Sequence, residues 1–487
     1  GGVALLLTAI YLLPFFDAAP QTLEHHIRTE LYAKAGYDGL ASPERRAHRI
    51  GRTFLPNYDG LPWRGPTVPG WDPLSARAGS VVLALAVAAL LVAWRRGETW
   101  FWFGVAVVSL SATFGTAPFA HLLHALPLFD IAINERLAFA AVMAMAMLAA
   151  IAIDALDRRA GLAVLAVAIA LGVATFLTKQ PINDVTLAEL APLAIVALLL
   201  LVRVPMRISA PAILALVLVQ RAIVDGSIYP ALPRAMFYPR VPVLESIPKD
   251  GLSRIAGIGA TLVPNGAAMY GLEDVRGYEA MTFKRLADTY PLWSTFQRAW
   301  FNRIDDPSRP FLSFLNVRYI LDGTRLVENE AALPRAFIPR NVRYERTGEP
   351  ILEAMKHATD FSDAAWIEVP ANEPHDAANG PGTVTIRREG LGYQLAVDVR
   401  YPTWVVVSET AWRGWRAYID GRRVQTYFAN HAFLGIIVPP GQHRLRLVYL
   451  PEAFTRGRNI TAATLVLLTC AIVWRAWRRS SSTSRPR

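Results

Sequence analysis

The sequence predicts a polytopic α-helical membrane protein of about eight spans, with an exported α+β region ending in an antiparallel β-sandwich. Three observations predict it. Of the 487 residues, 53% are hydrophobic and only 18% are charged, against roughly 25% charged in an ordinary soluble domain. The stretch Leu137 to Ala155 (LAFAAVMAMAMLAAIAIDA) is almost wholly apolar, close to the roughly 20 residues a helix needs to cross a bilayer. From Thr383 onward the apolar residues recur in short runs of period two, the pattern of half-buried strands.

Charge and motifs narrow the function. The formal charge is +11, carried by arginine, since only five residues are lysine. No basic stripe with interleaved aromatics appears, so nucleic acid is not expected as a partner. Cys470 is the single cysteine, which excludes an intrachain disulfide and a cysteine-based metal site. No Walker loop, dinucleotide fingerprint, Gly-x-Ser-x-Gly or His-Glu-x-x-His is present, which argues against ATP-driven transport and the commonest hydrolases.

The spans follow in order. Span one is Val3 to Phe16, apolar from its first residues, and the chain is expected to open at or within a span of a longer protein. The loop Asp17 to Arg77 has eight basic and seven acidic residues, and its part Leu55 to Pro73 is dense in Pro, Gly and Trp. That composition reads as ordered loop at the membrane surface. Spans two and three are Gly79 to Trp94 and Trp100 to Thr116. A half-apolar connector, Ala117 to Asn134, suits a short helix at the outer face. Spans four to seven are Leu137 to Ala155, Ala160 to Leu177, Leu187 to Val202 and Ile208 to Val224; span eight is Ile460 to Trp477.

Arginine clusters orient the spans. Arg95–Arg96, Asp157–Arg159, Arg203–Arg207 and the tail with Arg478, Arg479, Arg485 and Arg487 fall on one side under strict alternation. Basic short loops mark the cytoplasmic side. The implied domains are 1–16 (span), 17–77 (exported loop), 78–224 (six-span bundle), 225–370 (exported mixed α/β), 371–458 (exported β-sandwich), 459–478 (last span) and 479–487 (cytoplasmic basic tail). Within the exported part, Lys284 to Arg303 suits a helix and Phe311 to Leu321 a helix-to-strand passage. The seven expected strands are TVTIRRE, YQLAVDVR, TWVVVSET, GWRAYIDG, RVQTYFA, FLGIIVP and HRLRLVYL, with Asp420-Gly421 and Pro440-Gly441 as hairpin turns.

The segments AWRGWRAYIDGRRV (Ala411 to Val424) and VPPGQHRLRLVYLPEAFTRGRNI (Val438 to Ile460) resemble the C-terminal end of the bacterial YfhO-like membrane proteins. YLLPFF, FLPNYDG, LPLFDIAINERLAFAA, LNVRYIL and ALPRAFIPR look like landmarks of the same family in the same order. That family is similar to GT-C-type glycosyltransferases. The resemblance implies many spans, a polyprenyl-phosphate-linked sugar donor, transfer on the outer face of the bacterial cytoplasmic (inner) membrane, and a cell-envelope polysaccharide or teichoic-acid-like acceptor. In that class the acid that activates the acceptor sits in the first exported loop. Family members have several spans before the segment corresponding to Val3 to Phe16, so this acid is expected upstream of the chain.

Several residue clusters are candidates for a site, each with a plainer reading beside it. Arg136 could grip a lipid diphosphate and Glu135 orient it, or the two could anchor span four at the interface. His121 and His124, three apart on one helix face, could take metal or phosphate, or form a surface pair. Glu24, His25, His26 and Arg28 could supply a general base, or form a solvated helix with a Glu24–Arg28 pair. Asp305–Asp306 could hold a divalent cation or make a turn before Pro307. Trp412, Trp415, Tyr418 and Tyr427 could stack on sugar rings or fill the core. Asp420 reads as a turn residue rather than an acid. A divalent cation could assist, though no residue pattern demands one.

The expected function is therefore glycosyl transfer from a polyprenyl-phosphate carrier. The alternative is a non-catalytic envelope scaffold that binds or helps export polysaccharide. A secondary transporter would carry ionisable residues at mid-depth of several spans, and the spans read as almost free of them.

Overall fold

Apolar runs become helices throughout the first half of the chain. The structure, a computed structural model, describes residues 2–40, 42–58, 76–127, 129–225, 231–237, 239–277, 281–296, 302–370 and 379–482. Most of the Pro- and Trp-rich loop (59–75), Tyr278 and the tail residues Arg485 and Arg487 lie outside the described residues. The helices are α1 (Gly2–Leu7), α2 (Ala9–Ala18), α3 (Leu23–Leu40), α4 (Pro43–Phe54), α5 (Ser80–Val92), α6 (Gly97–Phe114), α7 (Phe119–His124), α8 (Ala138–Ile153), α9 (Arg158–Leu177), α10 (Asp184–Leu201) and α11 (Met206–Asp225). A C-terminal helix spans Glu452–Ser482.

Among the described residues, five helical segments are long and apolar enough to cross a membrane: Asn134–Ile153, Arg158–Leu177, Asp184–Leu201, Met206–Asp225 and Glu452–Arg478. The three other expected spans are helical but fall short of that measure. Helix α5 has 13 residues, about 20 Å at 1.5 Å per residue, against a hydrocarbon layer about 30 Å thick. Helix α6 carries Glu98, Thr99 and three further Ser or Thr side chains. Span one is split into α1 and α2 at Thr8.

The chain forms two compact units. One is Arg28–Pro233; the other joins Gly1–Ile27 to Arg234–Arg487. In the first, α5, α8, α9 and α10 pack through alanines with no exposed surface, among them Ala84, Ala88, Ala152 and Ala160. Small residues let helix backbones approach closely where lipid offers no hydrophobic drive. The outward side chains are large and apolar, such as Phe139 at 72% and Phe176 at 80% exposure, as a lipid-facing surface requires.

The second unit holds 17 strands among the described residues: β1 (Arg254–Gly257), β2 (Glu273–Asp274), β3 (Thr295–Phe296), β4 (Asn302–Arg303), β5 (Val317–Asp322), β6 (Arg325–Glu328), β7 (Ala336–Phe337), β8 (Asn341–Glu345), β9 (Ala364–Glu368), β10 (Gly382–Glu389), β11 (Gly392–Val399), β12 (Thr403–Thr410), β13 (Trp415–Ile419), β14 (Arg422–Val424), β15 (Tyr427–Ala429), β16 (Phe433–Val438) and β17 (Gly441–Tyr449). A four-stranded sheet runs β2-β1-β5-β6, with β1 parallel to both neighbours. An antiparallel five-stranded sheet runs β10-β11-β17-β13-β14, and a six-stranded sheet runs β7-β12-β16-β15-β9-β8. The five- and six-stranded sheets share one core, in which Leu395, Val397, Leu445 and Leu447 from one meet Val405, Val407, Leu434 and Ile436 from the other. The six-stranded sheet draws β7, β8 and β9 from before residue 370, and its β8–β9 pair is parallel.

Several local expectations are met and others corrected. All seven expected strand segments form, and RVQTYFA divides into β14 and β15. Asp420–Gly421 closes the β13–β14 hairpin, with Ile419 opposite Arg422 and both turn residues at positive φ, as a two-residue turn of this kind demands. Pro440–Gly441 does not close a hairpin. It carries the chain from β16 in one sheet to β17 in the other. Pro310–Phe314 is helical and Val317–Asp322 extended, joined through Asn316 at φ +61. Lys284 to Arg303 is not one helix. Short helices Lys284–Asp288 and Tyr290–Trp293 end at the extended Ser294 before β3. Pro291 has no N–H for the helical ladder and so interrupts it.

Candidate functional site

The clearest concentration of buried polar chemistry lies at one end of the Arg28–Pro233 helix bundle. Its centre is Glu189, with a side chain 2% exposed, on the second turn of α10. The local sequence explains its surroundings. Asn183 caps α10 by accepting the backbone N–H groups of Val185 and Thr186. Pro192 lies inside the helix and cannot donate to the carbonyl four residues back. That carbonyl, Ala188 O, instead accepts Gln220 Nε2 from α11 at 3.2 Å.

Three helices converge on the carboxylate. Ser80, the first residue of α5, donates its backbone N–H to Oε2 at 2.8 Å, and its hydroxyl donates to the Glu189 carbonyl. Gln220 Nε2 donates to Oε2 at 3.1 Å. Arg77 Nη2 donates to Oε1 at 3.1 Å and also to the Pro56 carbonyl. Arg221 Nη1 lies 3.9 Å from Oε1, and its Nε lies 2.7 Å from Asp225 one helical turn on. The N-terminus of α5 adds its partial positive charge. Gly79 is required here. It sits at φ +89, and a Cβ would come within 2.8 Å of Arg221 Nη1 and 3.0 Å of Gln220 Oε1. Both carboxylate oxygens are thus engaged, so Glu189 is suited to holding two arginines in place rather than to accepting a proton.

Beside this cluster, Asn57 donates its N–H to Gln180 Oε1 at 2.9 Å and its Nδ2 to Asn183 Oδ1 at 3.1 Å. Glu135 does not act with Arg136. It is engaged by Arg49 Nη2 at 2.7 Å, while Arg49 Nη1 donates to Thr113 O at the end of α6. Arg136 is exposed at the entry to α8 and has no ion-pair partner among the described residues.

The remaining candidates are placed as follows. His121 (exposed) and His124 (half-buried) lie on the six-residue α7. Glu24, His25, His26 and Arg28 share the first turns of α3, where His26 Nδ1 is 2.9 Å from Thr22 O and Arg28 Nη1 donates to Ile131 O. Among the described residues, no group of three or more His, Cys, Asp or Glu could hold a metal ion. Asp306 accepts from the Ser308 N–H and hydroxyl, and Asp305 pairs with Arg303, so the acidic pair is committed to a turn. Trp412 packs on Phe283 with ring centroids 4.7 Å apart, and Trp415 stacks on Tyr393 at 6.2 Å while donating Nε1–H to Thr410 O. Both line a cleft of about 380 Å³ with Tyr427, Phe428 and Glu368.

The β-rich unit has its own buried ionic centre. Arg335, with a fully buried side chain, donates to Glu273 at 2.6 Å, Glu409 at 3.3 Å and the Leu252 carbonyl at 3.0 Å. Arg254 donates to Leu315 O and Ser408 O and lies 3.6 Å from Glu409, which also accepts the Tyr393 hydroxyl at 2.7 Å. Burial and the neighbouring Arg335 charge push Arg254 down to about 10, and burial and the Glu409 charge push Tyr393 up to about 12. This network ties β2 and the start of β1 to β11 and β12.

Sequence reasoning passed over Glu189, Arg77, Gln220 and Arg221. Glu189 is buried near the start of α10 rather than at its mid-depth. The available signal was a carboxylate inside an apolar run, TLAELAPLA, which by default marks a functional position in a membrane helix.

No curated protein and no solved structure matches the chain. Residues 380–461, from just before β10 to the first turns of the C-terminal helix, match the model of the family described as Bacterial membrane protein YfhO, and YfhO is therefore the family to which this membrane protein is similar.

Proposed function

We propose that this chain is a membrane glycosyltransferase-like protein of the GT-C type, which moves a sugar from a polyprenyl-phosphate donor to a cell-envelope polymer on the outer face of the bacterial cytoplasmic membrane. In this reading the three remaining helical segments also span, giving eight crossings. The five- and six-stranded sheets act as a β-sandwich outside the cell, and the C-terminal tail stays in the cytoplasm. The observation that carries it is the placing of charge in the helix bundle. Arg96, Arg158, Arg159 and Arg203 lie at one end, where Arg96 meets Asp154 at 3.9 Å and the other three line one groove. Arg77, Arg221 and buried Glu189 lie at the other. The positive-inside tendency assigns the first end to the cytoplasm, which turns the Glu189 cluster outward. There Arg136 stands exposed at a helix entry, where guanidinium and helix N-terminus both favour a phosphate.

The test is binding of polyprenyl phosphate to the purified chain. Arg136→Ala is expected to weaken binding several-fold, and unchanged affinity removes Arg136 from the site. The scaffold reading draws on a separate observation: the Glu189 carboxylate is already saturated, so it is not poised as a base. Sugar transfer from a polyprenyl-linked donor to envelope polymer in vesicles separates the two readings, because a scaffold binds polymer and transfers nothing.

A further inference from the structure

We propose that the arginine-lined groove between α9, α10 and α11 is a binding site for the head group of an anionic phospholipid. The groove, about 670 Å³, lies at the end of the bundle opposite Glu189 and is lined by Arg158, Arg159 and Arg203 above Leu162, Leu200 and Met206. Its charge is strongly one-sided. Asp157 is the one acid in the lining, and its Oδ1 is committed to the backbone N–H groups of Arg159 and Ala160 as the cap of α9. Among the described residues none of the three arginines has an ion-pair partner. Three guanidinium groups thus share one concavity with a single carboxylate, which leaves a net positive charge there.

The rest of the wall is suited to a lipid rather than to a free anion. Leu162 and Met206 are exposed at 53% and 43%, and neighbouring Val202 and Ile208 at 61% and 54%. The cationic rim therefore continues into apolar helix surface along which acyl chains can run. A basic pocket between membrane helices with such a floor matches the chemistry of an anionic lipid head group. Arg203 adds a detail of geometry. It ends α10 in the left-handed region at φ +61, a conformation that glycine adopts at no cost and a side chain does not. Arginine at this position gives up backbone ease and places a cation on the rim. The site lies away from Arg136 and Glu189, so it does not rest on the glycosyl-transfer reading.

The experiment uses the full chain in neutral detergent, titrated with phosphatidylglycerol, phosphatidylcholine or glycerol 3-phosphate, with thermal unfolding and native mass spectrometry as readouts. Phosphatidylglycerol is expected to bind and raise the unfolding midpoint, and the other two are not. Arg203→Gly removes the charge while favouring the observed backbone, so its midpoint without lipid should be no lower than wild type. Its phosphatidylglycerol affinity should fall about fivefold, and Arg158→Gln with Arg159→Gln should lower it further. Equal binding of the two phospholipids, wild-type affinity in all variants, or an equal response to glycerol 3-phosphate would each overturn the proposal.

Discussion

Glu189 Oε2 accepts the backbone N–H of Ser80 at 2.8 Å, joining the second turn of α10 to the first residue of α5. The bond fixes where the carboxylate lies, and through it where Arg77 and Arg221 are held. Glu189→Ala leaves both guanidiniums without their shared partner inside the bundle. Removing one member of a buried ionic cluster typically costs about 3–5 kcal/mol. The unfolding midpoint in detergent should fall sharply for Glu189→Ala and less for Glu189→Gln, which keeps an acceptor oxygen. Equal midpoints for wild type and the alanine variant would show that the cluster carries no stability.

Gly457 of the C-terminal helix faces the Ala9 carbonyl so closely that any Cβ would clash with it. One turn on, Thr461 Oγ1 accepts the Ile10 N–H at 3.1 Å and lies 3.2 Å from Leu7 O, serving backbone groups at the break between α1 and α2. Unserved backbone groups are costly where water is absent. Gly457→Val should lower the unfolding midpoint more than Gly457→Ala, and Thr461→Val should lower it by about 1 kcal/mol. A neutral Gly457→Val would mean that the helices do not pair as described.

Arg335 is held by two carboxylates and a carbonyl at once, a fork that lysine cannot reproduce. Arg335→Lys should therefore destabilise the β-rich unit almost as much as Arg335→Ala. Denaturant unfolding followed by tryptophan fluorescence reads this directly. A lysine variant as stable as wild type would reduce the network to a simple charge balance.

His443 Nδ1 lies 2.6 Å from Asp420 at the β13–β14 turn. The Asp420 hydrogen bond raises the imidazole above its ordinary 6.5, and the Arg444 N–H and His443 lower the carboxyl below its ordinary 3.8. A raised histidine contributes stability below its unfolded value and loses it as pH climbs through the folded one. A depressed carboxyl contributes above its unfolded value and loses it as pH falls through the folded one. The pair should thus contribute most between about pH 4 and 6.5. Subtracting the pH profile of His443→Gln from that of wild type should leave a difference confined to that window and fading above it. A flat difference across neutral pH would dissociate the pair.

The β-rich segments were legible because strand periodicity is local: β10 to β17 fall within the seven runs that alternation marks. What alternation could not give was pairing. Asp420–Gly421 and Pro440–Gly441 look alike as dipeptides between strands, yet one closes a hairpin and the other changes sheet. The choice is made by which partner buries the next strand, a contact between residues far apart in sequence. Lys284 to Arg303 is not one helix because Pro291 interrupts the ladder between its two short helices and because Thr295–Phe296 pairs with Asn302–Arg303 across space, a contact that local spacing does not show.

For the site, the sequence supplied the residues near the helix entries but not their partners. Glu135 and Arg136 are neighbours in the chain, and the tertiary structure separates them by giving Glu135 to Arg49. By itself the sequence determined that apolar helices alternate with arginine-rich turns and that a β-rich module precedes the last helix, because hydropathy and period are properties of contiguous residues. Only the tertiary structure decided that Glu189, Arg77, Gln220 and Arg221 form one cluster. They come from the ends of two separate helices, α10 and α11, and from the segment before α5, and a buried charge finds its partners across space rather than along the chain.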